Sequence, residues 1–173
     1  MKETFQLVEN MKREGVLEDY AVAGAVGALF YVEPFATLDI DFLVNFPSSG
    51  NSLVSLEPIF SWLRERGYSE FDENGNIVVG KWPIQFLPVH DEFSAEALRE
   101  AQYLPFDETL NVRVIRPEYL ATEALRMGRP KDIGRLADLL LSEEFNADRF
   151  SELRSRFGLE RKWTKIQPFI FEE

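Results

Sequence analysis

Asp39 and Asp41 are the residues whose type and spacing most plainly suggest chemistry. They stand two apart in Thr37-Leu38-Asp39-Ile40-Asp41-Phe42-Leu43-Val44, an otherwise apolar run. Strand side chains alternate, so both carboxylates are expected on one face, about 6–7 Å apart, with Leu38, Ile40 and Phe42 turned into a core. Two anions side by side on a covered strand repel each other and are costly to desolvate. A hard divalent ion with oxygen ligands, Mg²⁺ or Mn²⁺, would remove that cost. A solvated acid face on an edge strand is the other reading.

Composition narrows the setting. The chain has 173 residues, 45% of them hydrophobic, with 15 Phe and 3 Trp, enough for a packed core in one domain. Its net charge of −11 disfavours binding to long nucleic acid unless bases cluster. Such clustering is open between Arg113 and Lys165, where Lys and Arg are denser. With no Cys, disulfides, thiolate metal sites and cysteine nucleophiles are excluded. The start carries scattered charges, and the longest apolar stretch, Tyr20 to Val32, is too short to span a bilayer. A cytoplasmic protein without a membrane partner is expected.

The elements that must position the acids read as follows. Thr4 to Val16 has helical periodicity, and Asp19 to Ala23 reads as a strand. Gly24 to Tyr31 reads as a tight turn opening a helix that Pro34 ends. Leu38 to Phe46 is the acid-bearing strand. Pro47 to Ser52 is a loop, and Leu53 to Arg66 an amphipathic helix. Glu70 to Val79 reads as a hairpin about Asn74-Gly75. Trp82 to Val89 is a strand, Phe93 to Gln102 a helix, and Leu104 to Ile115 a strand or strand pair. Helices follow from Pro117 to about Met127, Lys131 to Leu141 and Ala147 to Arg156. The fold class is α+β, close to α/β: a mixed central sheet flanked by helices, with a helical C-terminal region. Residues 1–115 are expected to form the core and 116–173 a helical region packed on it.

Strand, small-residue turn, helix, then an acid-x-acid strand resembles the nucleotidyltransferase superfamily of polymerase-beta-like and minimal nucleotidyltransferases. Gly24-Ala25 stands at the turn and Asp39-Ile40-Asp41 at the acid pair. Arg116-Pro117-Glu118-Tyr119-Leu120, Gly128-Arg129-Pro130-Lys131-Asp132 and Arg135-Leu136-Ala137-Asp138-Leu139 are similar to the abortive-infection toxin branch, with its Arg-x-Lys-Asp signature. Thr37 before the acids fits that branch. The resemblance implies a nucleotidyltransferase fold and a toxin–antitoxin-like setting. It implies transfer of a nucleoside monophosphate from a nucleoside triphosphate to an acceptor hydroxyl on a small molecule, protein or RNA end. Asp39 and Asp41 would be the catalytic metal ligands. Gly24, Ala25, Thr37, Gln85, Arg129 and Lys131 would bind the nucleotide, the turn amides cradling phosphate.

Four positions depart from the pattern. Ala25 lacks a hydroxyl, and Phe35 and Ala124 stand where Arg and Lys are common. Gln85, on Pro83-Ile84-Gln85-Phe86-Leu87-Pro88, replaces the third carboxylate with an uncharged amide. The alternative is therefore a catalytically degenerate fold acting as a nucleotide-binding or partner-binding module. Simpler roles also stand for single residues. Gly24 and Gly27 could serve close packing, and Lys131 with Asp132 could be a helix-start charge pair. Arg113, Arg116, Arg126, Arg129 and Arg135 could form a solvated face, and His90 lies in a surface-turn context.

Overall fold

The computed structural model describes residues 1–47 and 55–171. Within them a six-stranded mixed sheet runs in the order β3-β4-β2-β1-β6-β5. The strands are β1 (Asp19–Val22), β2 (Ile40–Asn45), β3 (Ile77–Val79), β4 (Trp82–Pro88), β5 (Gln102–Asp107) and β6 (Leu110–Val114). β2 lies antiparallel to β1 and parallel to β4; β1 is parallel to β6. Antiparallel β3 and β5 close the two edges.

One face of the sheet carries the aromatic core. Phe42 of β2 lies 6.0 Å, centroid to centroid, from its register partner Phe86, and 6.1 Å from Tyr20. Phe5 of helix α1 (Lys2–Arg13) meets Phe42 edge-on at 6.2 Å. Such offset and edge-on contacts are the favoured aromatic arrangements. Alternation then turns Asp41 and its register partner Gln85 to the opposite face.

That face is covered near the acids by helix α2 (Gly24–Ala28), with α5 (Pro117–Met127) and α6 (Pro130–Leu140) beyond it. Helix α3 (Glu57–Glu65) and α4 (Glu92–Arg99) link the strands, and α7 (Ala147–Arg156) and α8 (Glu160–Phe171) complete the C-terminal helices. No described helix is long and apolar enough to cross a membrane.

Several expectations need correction. β2 starts at Ile40, because neither neighbour pairs with the chain before it. Residues 33–39 carry no regular structure, so alternation does not reach Leu38, which is 86% exposed rather than in the core. The helix after Gly24 ends at Ala28, well before Pro34. The Asn74-Gly75 hairpin is wider than a two-residue turn. Phe71 bridges Ile77, and the Asp72 carboxylate accepts the Asn74 and Asn76 amides across the loop. Gln102 begins β5 instead of ending α4, and α8, to which the sequence reading assigns no element, contains Pro168. The expected Pro47–Ser52 loop lies outside the described residues except for Pro47, as do Leu53 and Val54.

Candidate active site

A cleft of about 920 Å³ opens beside the C-terminal helices, lined by Ala25, Thr37, Asp39, Asp41, Gln85, Arg129, Lys131 and Arg135, among others. Each side has a local cause. β2 supplies Asp41 from the row opposite the aromatic core, and the irregular segment before it supplies Asp39 and Thr37, whose Oγ1 donates to the Asp39 carbonyl at 3.2 Å. β4 supplies Gln85, exposed and in register with Asp41. Parallel register partners share a face, so the amide stands beside the carboxylate in the place expected of a third acid.

Gly24 closes the other side. Its φ is +56°, a conformation that favours glycine. A Cβ there would overlap Asp41 Oδ2 and lie 2.8 Å from its Cγ. The Ala23 amide donates to the Asp41 carbonyl at 2.9 Å, tying the turn to β2. Gly27 serves packing instead. A Cβ there would meet the Val22 carbonyl oxygen at 3.0 Å and Leu120 at 3.4 Å, so its absence lets α2 pack closely.

The electrostatics are lopsided. Burial pushes the Asp41 carboxyl up from 3.8 to about 6, and the charge of Asp39 adds to the effect. Arg135, Lys131 and Arg129, all on or at the start of α6, oppose it. The acid pair thus faces three cations on or at the start of α6, within a lining to which Asp138 of the same helix, Asp72 and Glu73 add further acids and Lys81 a further cation.

Two hard oxygen donors, with an amide oxygen beside them, fit one Mg²⁺ or Mn²⁺ ion, which would relieve the repulsion at Asp41. Among the described residues no group of three or more His, Cys, Asp or Glu side chains gathers to hold a metal. Gln85, the register partner of Asp41, brings an amide rather than a carboxylate to that face.

The structure gathers Ala25, Thr37, Asp39, Asp41, Gln85, Arg129 and Lys131 around one cleft and sets Gly24 against Asp41. Arg135 was absent from the nucleotide-binding set read from sequence. Its spacing of four from Lys131, one helical turn, is the signal that could have found it. Ala124 is buried in α5 and does not line the cleft. His90 is exposed and also lies outside it. Four of the other arginines are held in ion pairs, whereas Arg116 is exposed and, among the described residues, donates only to the Glu100 carbonyl. Arg113 pairs with Asp19, Arg126 with Asp91, and Arg149 and Arg156 with Glu96.

No protein-family model matches the chain, and no curated protein matches it. Two solved structures are similar over nearly its whole length. One is the crystal structure of an antigenic nucleotidyltransferase-like protein from Paracoccidioides brasiliensis. It has a TM-score of 0.53 at 12% identity and covers 99% of this chain and 96% of that one. The other is the solution structure of the antibiotic-resistance factor ANT(2'')-Ia. It has a TM-score of 0.52 at 15% identity and covers 99% of each chain. The chain has a nucleotidyltransferase fold.

Proposed function

We propose that this protein is a metal-dependent nucleotidyltransferase that moves a nucleoside monophosphate from a nucleoside triphosphate to an acceptor hydroxyl. The observation that carries the reading is the facing of Asp39 and Asp41 by Arg129, Lys131 and Arg135 across one cleft. The Arg129 to Asp132 stretch supports kinship with the toxin-type branch.

Asp39 and Asp41 would hold a divalent ion, with the Gln85 amide oxygen alongside. When bound, such an ion supplies charge neutralisation for triphosphate oxygens and for the leaving pyrophosphate. The chain's own groups do the rest. Arg129, Arg135 and Lys131 bind phosphate oxygens, the arginines through planar donor pairs. Gly24 leaves room for the Asp41 carboxylate in its cleft-facing position. An ionised Asp39 or Asp41 is the base within reach of an incoming hydroxyl, since Gln85 cannot take a proton.

Gln85 also favours a second reading, a nucleotide-binding module without transfer. One assay separates the two: incubation with radiolabelled ATP, Mn²⁺ and candidate acceptors, for wild type, Asp41→Ala and Gln85→Asp. Label transfer by wild type that Asp41→Ala abolishes supports the enzyme. Transfer by Gln85→Asp alone supports the binding module.

A further inference from the structure

Asp132 lies behind the three cations, not among them. It is 1% exposed and does not line the cleft. Its carboxylate accepts the Arg129 Nε at 2.6 Å, Nη2 at 3.2 Å and backbone amide at 3.3 Å. One turn further on, Arg135 brings Nη1 to 3.7 Å. Residues three apart on a helix are neighbours, so one buried anion sits between the two guanidiniums. Burial alone would raise the Asp132 carboxyl; the Arg129 hydrogen bonds and charge, with Arg135, outweigh it and hold the group below its usual range.

Both arginines line the cleft. The Arg135 side chain is only 16% exposed, and its guanidinium carbon lies 5.9 Å from the Phe35 ring centroid. Its Nε is buried with no acceptor. A buried, unpaired donor is costly. Lys131 lies between them in sequence but takes no part in the pairing.

We propose that Asp132 is a positioning residue that fixes Arg129 and Arg135 as a paired clamp for the phosphate groups of a polyphosphate ligand. The clamp rests on the nucleotidyltransferase reading for its place in catalysis. It does not need the metal, because it lies on α6 and not at Asp39 and Asp41.

The competing role for Asp132 is purely structural: a first-turn acceptor for the Arg129 backbone amide. Asp132→Asn keeps an oxygen for that amide and removes the charge that orders the guanidiniums. The probe is inorganic tripolyphosphate in EDTA, titrated by calorimetry. Wild type binds it. Asp132→Asn melts at a lower temperature but is fully folded at the titration temperature by circular dichroism, and it loses roughly tenfold in affinity, the order expected for one charge-assisted contact. Arg135→Gln loses a similar factor, and Asp132→Asn with Arg135→Gln loses no more than the worse single variant. Wild-type affinity in Asp132→Asn, or losses that simply multiply in the pair, would overturn the clamp. Should Asp132→Asn fail to fold, Arg129→Lys and Arg135→Lys carry the test. Each keeps the charge but loses the fork, and each should weaken binding severalfold; unchanged affinity in both overturns the proposal. A wild type that ignores tripolyphosphate overturns it as well. Metal-dependent ATP binding that fails in Asp39→Ala is scored separately, so loss of the clamp and loss of the nucleotidyltransferase reading are told apart.

Discussion

Gly24 and Asp41 are sterically locked together: a Cβ at position 24 would occupy the space of the Asp41 carboxylate. The turn that opens α2 and the acid on β2 are therefore one device. The φ of +56° at Gly24 reinforces the constraint, since only glycine takes it without strain.

Gly24→Ala should consequently damage both stability and the site. Left-handed strain alone costs about 1–2 kcal/mol, and displacement of Asp41 adds to it. Thermal denaturation should show a drop of several degrees. Calorimetry should show weakened Mn²⁺–ATP binding. A variant as stable and as competent as wild type would mean that the turn and the acid are independent.

Asp41 is held in the folded protein at a cost when it is ionised and metal-free. Its folded value, about 6, lies above its ordinary 3.8. The folded state thus binds the proton more tightly. That relative stabilisation is fully present below about pH 4 and is lost as pH rises through about 6. Asp41→Asn should therefore be more stable than wild type at about pH 7 in EDTA, by about 1–3 kcal/mol, with little gain near pH 4. Urea denaturation at the two pH values reads this directly. Equal gains at both would place the cause elsewhere.

Gln85→Asp restores a third carboxylate beside Asp41. Affinity for Mn²⁺ should rise by about tenfold or more, as an anionic ligand replaces a neutral one. The metal-free protein should become less stable through like-charge repulsion. Calorimetric titration with MnCl₂ checks the first effect and melting in EDTA the second. No gain in affinity would show that this side chain does not share the acids' ligand.

Glu96 joins α4 to the C-terminal helices. It is nearly buried, accepts Arg156 at 2.7 and 3.0 Å and Tyr119 at 2.7 Å, and receives Arg149 at 2.8 Å. Hydrogen bonds from Arg156 hold its carboxyl down at about 2, below its ordinary 4.5. The stabilisation is fully present above about pH 4.5 and is lost as pH falls towards 2. Glu96→Gln should cost about 2–4 kcal/mol near pH 7, because two guanidiniums lose their buried counter-charge. The deficit should shrink in acid, which denaturation at about pH 3 would show.

Much of this was readable from residue order. Pro at a first helical position and apolar periodicity marked the helix from Pro117 to Met127, and the pattern from Ala147 to Arg156 marked the next. The acid pair and the glycine turn stood out because both are costly where they sit. Leu38 misled because strand alternation holds only where a neighbour pairs, and pairing is not local information. Helix α8 has no counterpart in the sequence reading; it accommodates Pro168, with Trp163 and Ile166 packed against the core. The burial of Asp132, and the capture of Arg149 and Arg156 by Glu96, depend on residues far apart in sequence. Of the bases that the charge count groups after Arg113, ion pairs take up Arg113, Arg126, Arg149 and Arg156, while Arg129, Lys131 and Arg135 line the cleft.

The central claim is that Asp39 and Asp41 hold a divalent ion for a nucleoside triphosphate in this cleft. Calorimetric titration of ATP into the protein, with Mn²⁺ and with EDTA, tests it most directly when repeated on Asp39→Ala and Asp41→Ala. The predicted result is Mn²⁺-dependent binding by wild type that both substitutions abolish, with the folds intact by circular dichroism. Absence of binding by wild type, or binding that survives both substitutions, would contradict it.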